Sequence, residues 1–309
     1  MRWQAKAALM QVFSRLPLGQ DLHYIAQRRV TRSLPSSDGK FIESFDQARK
    51  HLDALRRHSV ARLQDAHFYE FGDGFELAIP LSFYALGAGS QVLVDIRKLL
   101  RVELVNETIK KLQGFSPEVP LCRMPGRLFD HDPSDGHSDD WINLLAECYG
   151  IQYLSPCDAR NTRLETGSVD FVTSTNTLEH IPAADIGLIL KECRRLLRKD
   201  GVISFIIDYK DHYSYSDPKI TVYNFLKYSD SAWRWYSPPF HYQNRLRHKD
   251  HIRLIQEAGF EVIEENLSRP SEADLAQFQQ ANISPLFRHE YSASELAIRD
   301  AHVVMRAAA

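Results

Sequence analysis

The residues from His67 to Asp95 carry the most pointed chemistry in the chain. They read His67-Phe68-Tyr69-Glu70-Phe71-Gly72-Asp73-Gly74, then a mostly apolar run from Phe75 to Leu86, then Gln91-Val92-Leu93-Val94-Asp95. An apolar strand entering a turn with two glycines, followed by a helix and a second strand that ends in an acid, is the pattern of a βαβ unit that cradles a nucleotide. Glycine suits such a turn because, without a Cβ, the backbone bends sharply and lies close against a ligand. Asp95 falls about twenty residues on, where a carboxylate accepts hydrogen bonds from both hydroxyls of a ribose.

Such a unit needs a sheet around it, and the pattern along the chain supplies one. Short apolar runs at Gly150–Leu154, Ser168–Ser174, Gly201–Asp208, Phe260–Ile263 and Ala301–Met305 read as strands. Helical spacing fills the gaps at Glu103–Leu112, Trp141–Cys148, Ala183–Leu197 and Asp250–Ala258. In Ala183–Leu197 the apolar side is Ile186, Ile189, Leu190, Cys193, Leu196 and Leu197, and the basic last turn before Lys199-Asp200-Gly201 suits the negative end of a helix. Strands alternating with helices demand a parallel sheet covered on both faces, so the expected fold is an α/β, Rossmann-like, doubly wound and mostly parallel sheet. Ahead of it, Arg2–Leu16 and Ser44–Arg62 have helical periodicity, separated by the loop Leu34–Gly39. Residues 1–65 are therefore expected to form a helical arm, serving as a lid or wall over the site or as a packing or dimer contact. Ser116–His137, rich in proline, glycine and acids, reads as a loop or insertion.

Composition narrows the function classes. Forty acids against 38 bases leave a formal charge of −2, so nothing points to nucleic acid as a partner. The four cysteines, Cys122, Cys148, Cys157 and Cys193, have no Cys-x-x-Cys spacing, which fits a reducing cytoplasm rather than a disulfide framework. No apolar stretch approaches a membrane span, and the apolar run near the start is too short for a secretory signal. His248 and His251 lack a nearby third ligand, so no metal is expected.

From this point the chain resembles the class I S-adenosylmethionine-dependent methyltransferases, in the branch with an asparagine-containing run followed by Leu-Glu-His, methyltransferase type 11-like. Here that run is Ser174-Thr175-Asn176-Thr177-Leu178-Glu179-His180-Ile181-Pro182, and the resemblance extends from about Phe68 to Met305. The resemblance implies a seven-stranded methyltransferase domain over 66–309, with a substrate-side insertion at 209–247, and S-adenosyl-L-methionine as cofactor. It implies that Glu70 contacts the amino-acid end of the cofactor near its ammonium, with Gly72, Asp73 and Gly74 letting the backbone pass beside it. Asp95 would bind the ribose, Ile96 would lie beneath the adenine, and Asp158 would accept from the adenine amino group with Ala159 supplying an amide. Thr175 and Asn176 would line the floor beneath the sulfonium. The family often has a further glycine where this chain has Glu76, which either adds a second carboxylate for the ammonium or caps the helix that follows.

Methyl transfer to a hydroxyl or a protonated amine needs a base within hydrogen-bond reach. The candidates are His180, Asp208, Asp211, His212 and His241, and Asp211-His212 is the preferred pair because an acid beside an imidazole raises its basicity. The bland alternatives are that Asp211 forms a turn, that His212 is a surface residue, and that His180 only fixes its loop. Tyr209–Tyr242 is crowded with aromatics, among them Tyr213, Trp233 and Tyr242 with His241, which either stack on a flat, apolar or sugar acceptor or form a satellite core. Asn244, Arg245 and Arg247 add two guanidiniums that grip a carboxylate or phosphate, or else sit as surface charges. The expected function is methylation of a small molecule at oxygen, a glycan or natural-product intermediate, with a homodimer left open. The alternatives are a non-catalytic cofactor-binding partner protein of the same fold and an NAD-dependent oxidoreductase, whose fingerprint wants glycine or alanine where this chain has Leu77.

Overall fold

The computed structural model describes residues 1–130, 140–268 and 270–308. In chain order the helices and strands are α1 (Trp3–Phe13), α2 (Gly19–Ile25), α3 (Asp38–His58), β1 (His67–Phe71), α4 (Ala78–Ala85), β2 (Ser90–Val94), α5 (Val102–Gly114), α6 (Asp140–Tyr149), β3 (Ile151–Leu154), β4 (Val169–Thr175), α7 (Ala183–Leu196), β5 (Leu197–Asp208), α8 (Asp230–Tyr236), α9 (His248–Glu257), β6 (Phe260–Leu267), α10 (Glu272–Gln280), α11 (Pro285–Glu290), α12 (Ala293–Ala297) and β7 (Asp300–Ala307).

The seven strands form one sheet in the order β3-β2-β1-β4-β5-β7-β6, parallel from β3 to β5, with β7 inserted antiparallel between β5 and β6. The strand order reverses between β1 and β4, and in such sheets the crevice beyond the carboxyl ends at that reversal is where ligands bind. Gly72, Asp95, Asn176 and Asp208 all fall at those ends. The expected doubly wound sheet is the one observed.

Two apolar layers clamp it. On one face, Phe41, Phe45, Ala48, Leu52 and Leu55 of α3 recur every three or four residues and pack into the cluster that contains Phe68, Phe83 and Phe171 of the sheet side. The helix of the arm is thus built into the layer that covers the sheet. It starts at Asp38, earlier than the expected Ser44, because the Ser37 side chain accepts the Lys40 amide and caps the first turn. On the other face, Ile186, Ile189, Leu190, Cys193 and Leu196 of α7 and Ile255 of α9 pack on Tyr69, Val172, Ile203 and Phe205.

Three local expectations change. Lys199-Asp200-Gly201 is not a turn: β5 begins at Leu197, directly after α7, and a register shift between Val169 and Phe171 absorbs the extra length. The helix expected from Phe75 begins at Ala78, after Leu77 in a left-handed conformation at φ 54°. Between β6 and β7 the chain makes α10, α11 and α12, which the sequence reading left unassigned; Phe278, Phe287 and Leu296 from them join Trp3, Tyr213, Tyr223, Phe225 and Trp233 in a third core. The expected loop at Ser116–His137 is irregular as far as Asp130; its remainder lies outside the described residues. Among the described residues, no helix is long and apolar enough to cross a membrane.

Candidate functional site

Two cavities meet at the carboxyl edge of the sheet. The first, about 520 Å³, is walled by Gly72, Gly74 and Phe75 after β1, Asp95, Ile96 and Arg97 after β2, Asp158, Ala159 and Arg160 after β3, and Asn176, Thr177 and His180 after β4. Gln20 and His23 of α2 and Phe240 close it from above, with the His23 and Phe240 rings stacked at 6.2 Å. The second, about 1260 Å³, is bounded by Asn176, Asp208, Lys210, His212 and Tyr215, by α3 through Lys40, Glu43 and Lys50, and by Asp300 and His302 of β7. Asn176, held left-handed at φ 50° with its amide bonded to the Ile206 carbonyl, lines both.

The glycine turn is tight for a reason that can be read atom by atom. Gly72 has φ +85°, and a Cβ there would fall inside the Thr177 side chain, so the turn closes on β4 only with glycine in place. Behind it, Glu70 and Asp73 face each other in the interior and do not line the cavity. Burial pushes the Glu70 carboxyl up to about 8, and burial with the charge of Glu70 and Asp95 raises Asp73 well above the usual carboxylate range. Neither Asp73 oxygen, nor Glu70 Oε2, has a hydrogen-bond partner among the described residues. Asp95 is on the cavity wall; burial raises it to about 6, against the pull of the Arg97 amide that donates to it at 2.9 Å. Three acids gathered with only the Arg97 guanidinium acting on one of them, Asp95, suit a cationic ligand. With Asp95 on the cavity wall and the glycine turn beside it, they fit the adenosyl sulfonium and ammonium of S-adenosylmethionine.

The remaining cofactor candidates divide. Ile96, 61% exposed, and Ala159 line the cavity. Asp158 lines it too, with its carboxylate gripped by Arg160, which holds it below its usual value. Thr175 does not: its hydroxyl is 3.0 Å from His51 Nε2, turned toward a buried chain of His51, Ser204 and His302. Glu76 neither faces the cavity nor caps α4; it accepts the Ser36 amide at 2.7 Å and pins the start of α3.

At the second cavity the preferred pair separates. Asp211 is fully buried and accepts from the Tyr213 amide and from Asn224, so it caps a turn. Adjacent residues point apart, and the acid beside His212 is Asp208, whose Oδ2 lies 3.3 Å from His212 Nε2. Burial of Asp208 is outweighed by His212, Lys210 and the Tyr215 hydroxyl, which keep its carboxyl below the usual range. Glu179 Oε1 is 3.9 Å from the same nitrogen. His180 donates from Nδ1 to the Tyr242 carbonyl at 2.7 Å, and its ring meets that of His212 at 4.8 Å. Enclosure by the walls and the neighbouring His212 hold His180 down to about 4, so it is neutral at physiological pH.

Most acceptor candidates are spent inside the protein. Tyr213 and Trp233 belong to the third core and Trp233 Nε1 donates to the Gln243 carbonyl. His241 packs on the Tyr213 ring at 4.4 Å. Asn244 donates to the Leu178 and Ile181 carbonyls and fixes the Leu-Glu-His turn. Arg245 bonds the Phe225 carbonyl and Asp230. Arg247, fully buried, donates to the Tyr209, Leu296 and Ile298 carbonyls. Of this group only Tyr242 reaches a cavity wall, on the cofactor side. Residues that face the cavities and went unassigned include Gln20, His23, Lys40, Glu43 and Lys50, which distant elements bring there, and Lys210 and Tyr215 beside His212.

Residues 136–205, from before α6 to mid-β5, match a family model described as a methyltransferase domain. No curated protein matches. Among solved structures the chain is similar to a geranyl diphosphate methyltransferase in complex with S-adenosylmethionine, at 12% identity and TM-score 0.48, covering 89% of this chain and 93% of that one. It is similar also to a geranyl diphosphate C-methyltransferase from Streptomyces coelicolor A3(2) (12%, TM-score 0.47, 90% and 89%) and to a putative sarcosine dimethylglycine methyltransferase from Galdieria sulphuraria (15%, TM-score 0.44, 86% and 86%). The seven-stranded sheet order is that of an α/β, Rossmann-like fold, and within it residues 136–205 of the chain match a methyltransferase domain.

Proposed function

We propose that this enzyme methylates a hydroxyl oxygen of a small polar molecule, a glycan or a natural-product intermediate, held in the cavity that His212 faces. The observation that carries this reading is Asn176, common to the walls of both cavities, so that the two adjoin beside it and the methyl group and the acceptor oxygen would meet there. When bound, S-adenosylmethionine supplies a methyl group already activated by its sulfonium. The chain has to hold the acceptor in line, exclude water and draw off one proton.

Asp95 would take the ribose hydroxyls, and Glu70 and Asp73 behind the turn, held protonated by burial in the free protein, would ionise to answer the cationic cofactor. The acceptor cavity is walled by Lys40, Glu43, Lys50, Lys210 and Asp300, which suits a hydroxyl-rich molecule. The aromatics that would have favoured a flat, apolar acceptor are packed in the third core. Loss of the acceptor proton centres on His212 with Asp208 and Glu179 beside it. The test is methyl transfer from labelled cofactor to hydroxylated, aminated and apolar acceptors side by side. Labelling of hydroxylated acceptors alone supports the proposal. Labelling only of amines or of apolar carbon overturns the oxygen assignment, and no binding of S-adenosylhomocysteine in a calorimeter overturns the cofactor site.

A further inference from the structure

Glu179 stands beside His212 with no side-chain bond of its own among the described residues, and its position is costly. It is 2% exposed, and neither of its carboxylate oxygens has a hydrogen-bond partner among the described residues. A carboxylate buried in this way persists where a ligand answers it. It sits on the short turn Leu178–His180, which the Asn244 side chain ties down through the Leu178 and Ile181 carbonyls. The turn presents His180 beside it, and His212 arrives from the end of β5. One ligand atom from each of Glu179, His180 and His212 lies within 4.8 Å of the others. The His180 ring is already oriented, since its Nδ1–H is given to the Tyr242 carbonyl and Nε2 is left to bind, which is how metal-bound imidazoles are usually held from outside.

We propose that Glu179, His180 and His212 bind one divalent cation whose remaining coordination positions open into the acceptor cavity. Two imidazoles and one carboxylate favour ions of the Mn²⁺, Fe²⁺, Co²⁺ and Zn²⁺ series over Mg²⁺ or Ca²⁺, which prefer all-oxygen sites. The proposal rests on the acceptor-site reading above and narrows its substrate class: an ion with open positions takes two neighbouring oxygens, so the acceptor is a vicinal diol, a catechol or a hydroxy-carbonyl compound. Bound to the cation, the hydroxyl becomes acidic. Its O–H bond breaks and the proton passes to the Asp208 carboxylate, 3.3 Å from His212 Nε2. The oxygen pair then forms the C–O bond while the C–S pair returns to sulfur, giving a methyl ether and S-adenosylhomocysteine. In this scheme His212 acts by holding the ion, and its loss abolishes deprotonation just as loss of a base would.

The experiment is calorimetric titration of the chelator-treated full chain with ZnCl₂, MnCl₂ and MgCl₂, each with and without S-adenosylhomocysteine. One Zn²⁺ or Mn²⁺ per chain is expected, weakened on the order of 100-fold or more by Glu179→Gln and by His212→Gln, with affinity for S-adenosylhomocysteine retained. A visible Co²⁺ spectrum of the unmutated chain, displaced by Zn²⁺, supplies the same answer if either variant fails to fold. No ion bound at millimolar concentration, or equal affinity in the variants, overturns the site. A chain that binds S-adenosylhomocysteine but no ion overturns the cation alone, whereas one that takes up the ion but not S-adenosylhomocysteine overturns the cofactor reading beneath it.

Discussion

The carboxyl edge of the sheet holds two nests of buried acids, and they are built on opposite plans. Beyond β1 and β2, Glu70, Asp73 and Asp95 crowd together with no imidazole or ammonium among them, and burial raises all three. Beyond β4 and β5, Glu179 and Asp208 are set against His180 and His212, and Asp208 is held low. The first nest is short of positive charge and has to receive it from a ligand that carries it permanently. The second contains nitrogen lone pairs as well as carboxylates, so it can exchange a proton or a metal ion with whatever enters. On the proposed reading, binding and chemistry fall to neighbouring strand ends on either side of Asn176.

The sharpest way to break that contrast is His212→Ala. It should lower turnover by about 10²- to 10⁴-fold while leaving the dissociation constant of S-adenosylhomocysteine within about twofold; equal loss of both would merge the two nests into one. Next in size is Asp95→Ala, expected to weaken cofactor affinity by roughly 100-fold through lost charge-assisted hydrogen bonds, measured by titration. Asp208→Asn and Asp211→Asn form a matched pair. The first should slow turnover with a small change in melting temperature, and the second should lower the melting temperature because one of two donors meets an NH2 in place of its acceptor oxygen, with kcat per folded molecule nearly unchanged. A reversal of that pattern would restore Asp211 as the partner of His212.

The smallest effect is on pH. Glu70 at about 8 and Asp95 at about 6 must ionise to meet a cationic ligand, so affinity for S-adenosylmethionine should rise between about pH 6 and 8 and level off above, with protons released on binding. For folding the sign is opposite. These two carboxyls lie above their unfolded values near 4, so the stability they lend the free protein is present at low pH and lost as pH rises through 6 and 8. Saturating cofactor should flatten that loss. A pH-independent affinity over this range would remove the acid-rich nest as the origin of cofactor preference.

The placement of the glycine turn, Asp95 and Asn176 around one cavity was legible in the sequence because the signals are local. The glycine turn, the acid after β2 and the asparagine before Leu-Glu-His each sit within a few residues of a strand end, and strand periodicity places those ends on one edge. The acceptor side was less legible because its meaning depends on which way a side chain points. Asp211 and His212 are neighbours in sequence and face opposite ways, so adjacency suggested a pair where a four-residue spacing from Asp208 makes one. Arg245 and Arg247 looked free to grip an anion, but the carbonyls that consume them come from the insertion, the end of β5 and the α12 region. Trp233 and Tyr213 looked like a stacking wall until α10, α11 and α12 supplied the rest of a core around them. Those three short helices carry too little periodicity to announce themselves.

Asn176 borders both chambers, and these have different roofs: α2 with Phe240 over one, α3 over the other. On the proposed reading, spent cofactor and finished product leave beneath different roofs. Turnover on this plan needs no fixed order of departure, and S-adenosylhomocysteine should compete with fresh S-adenosylmethionine while leaving the acceptor's own KM untouched.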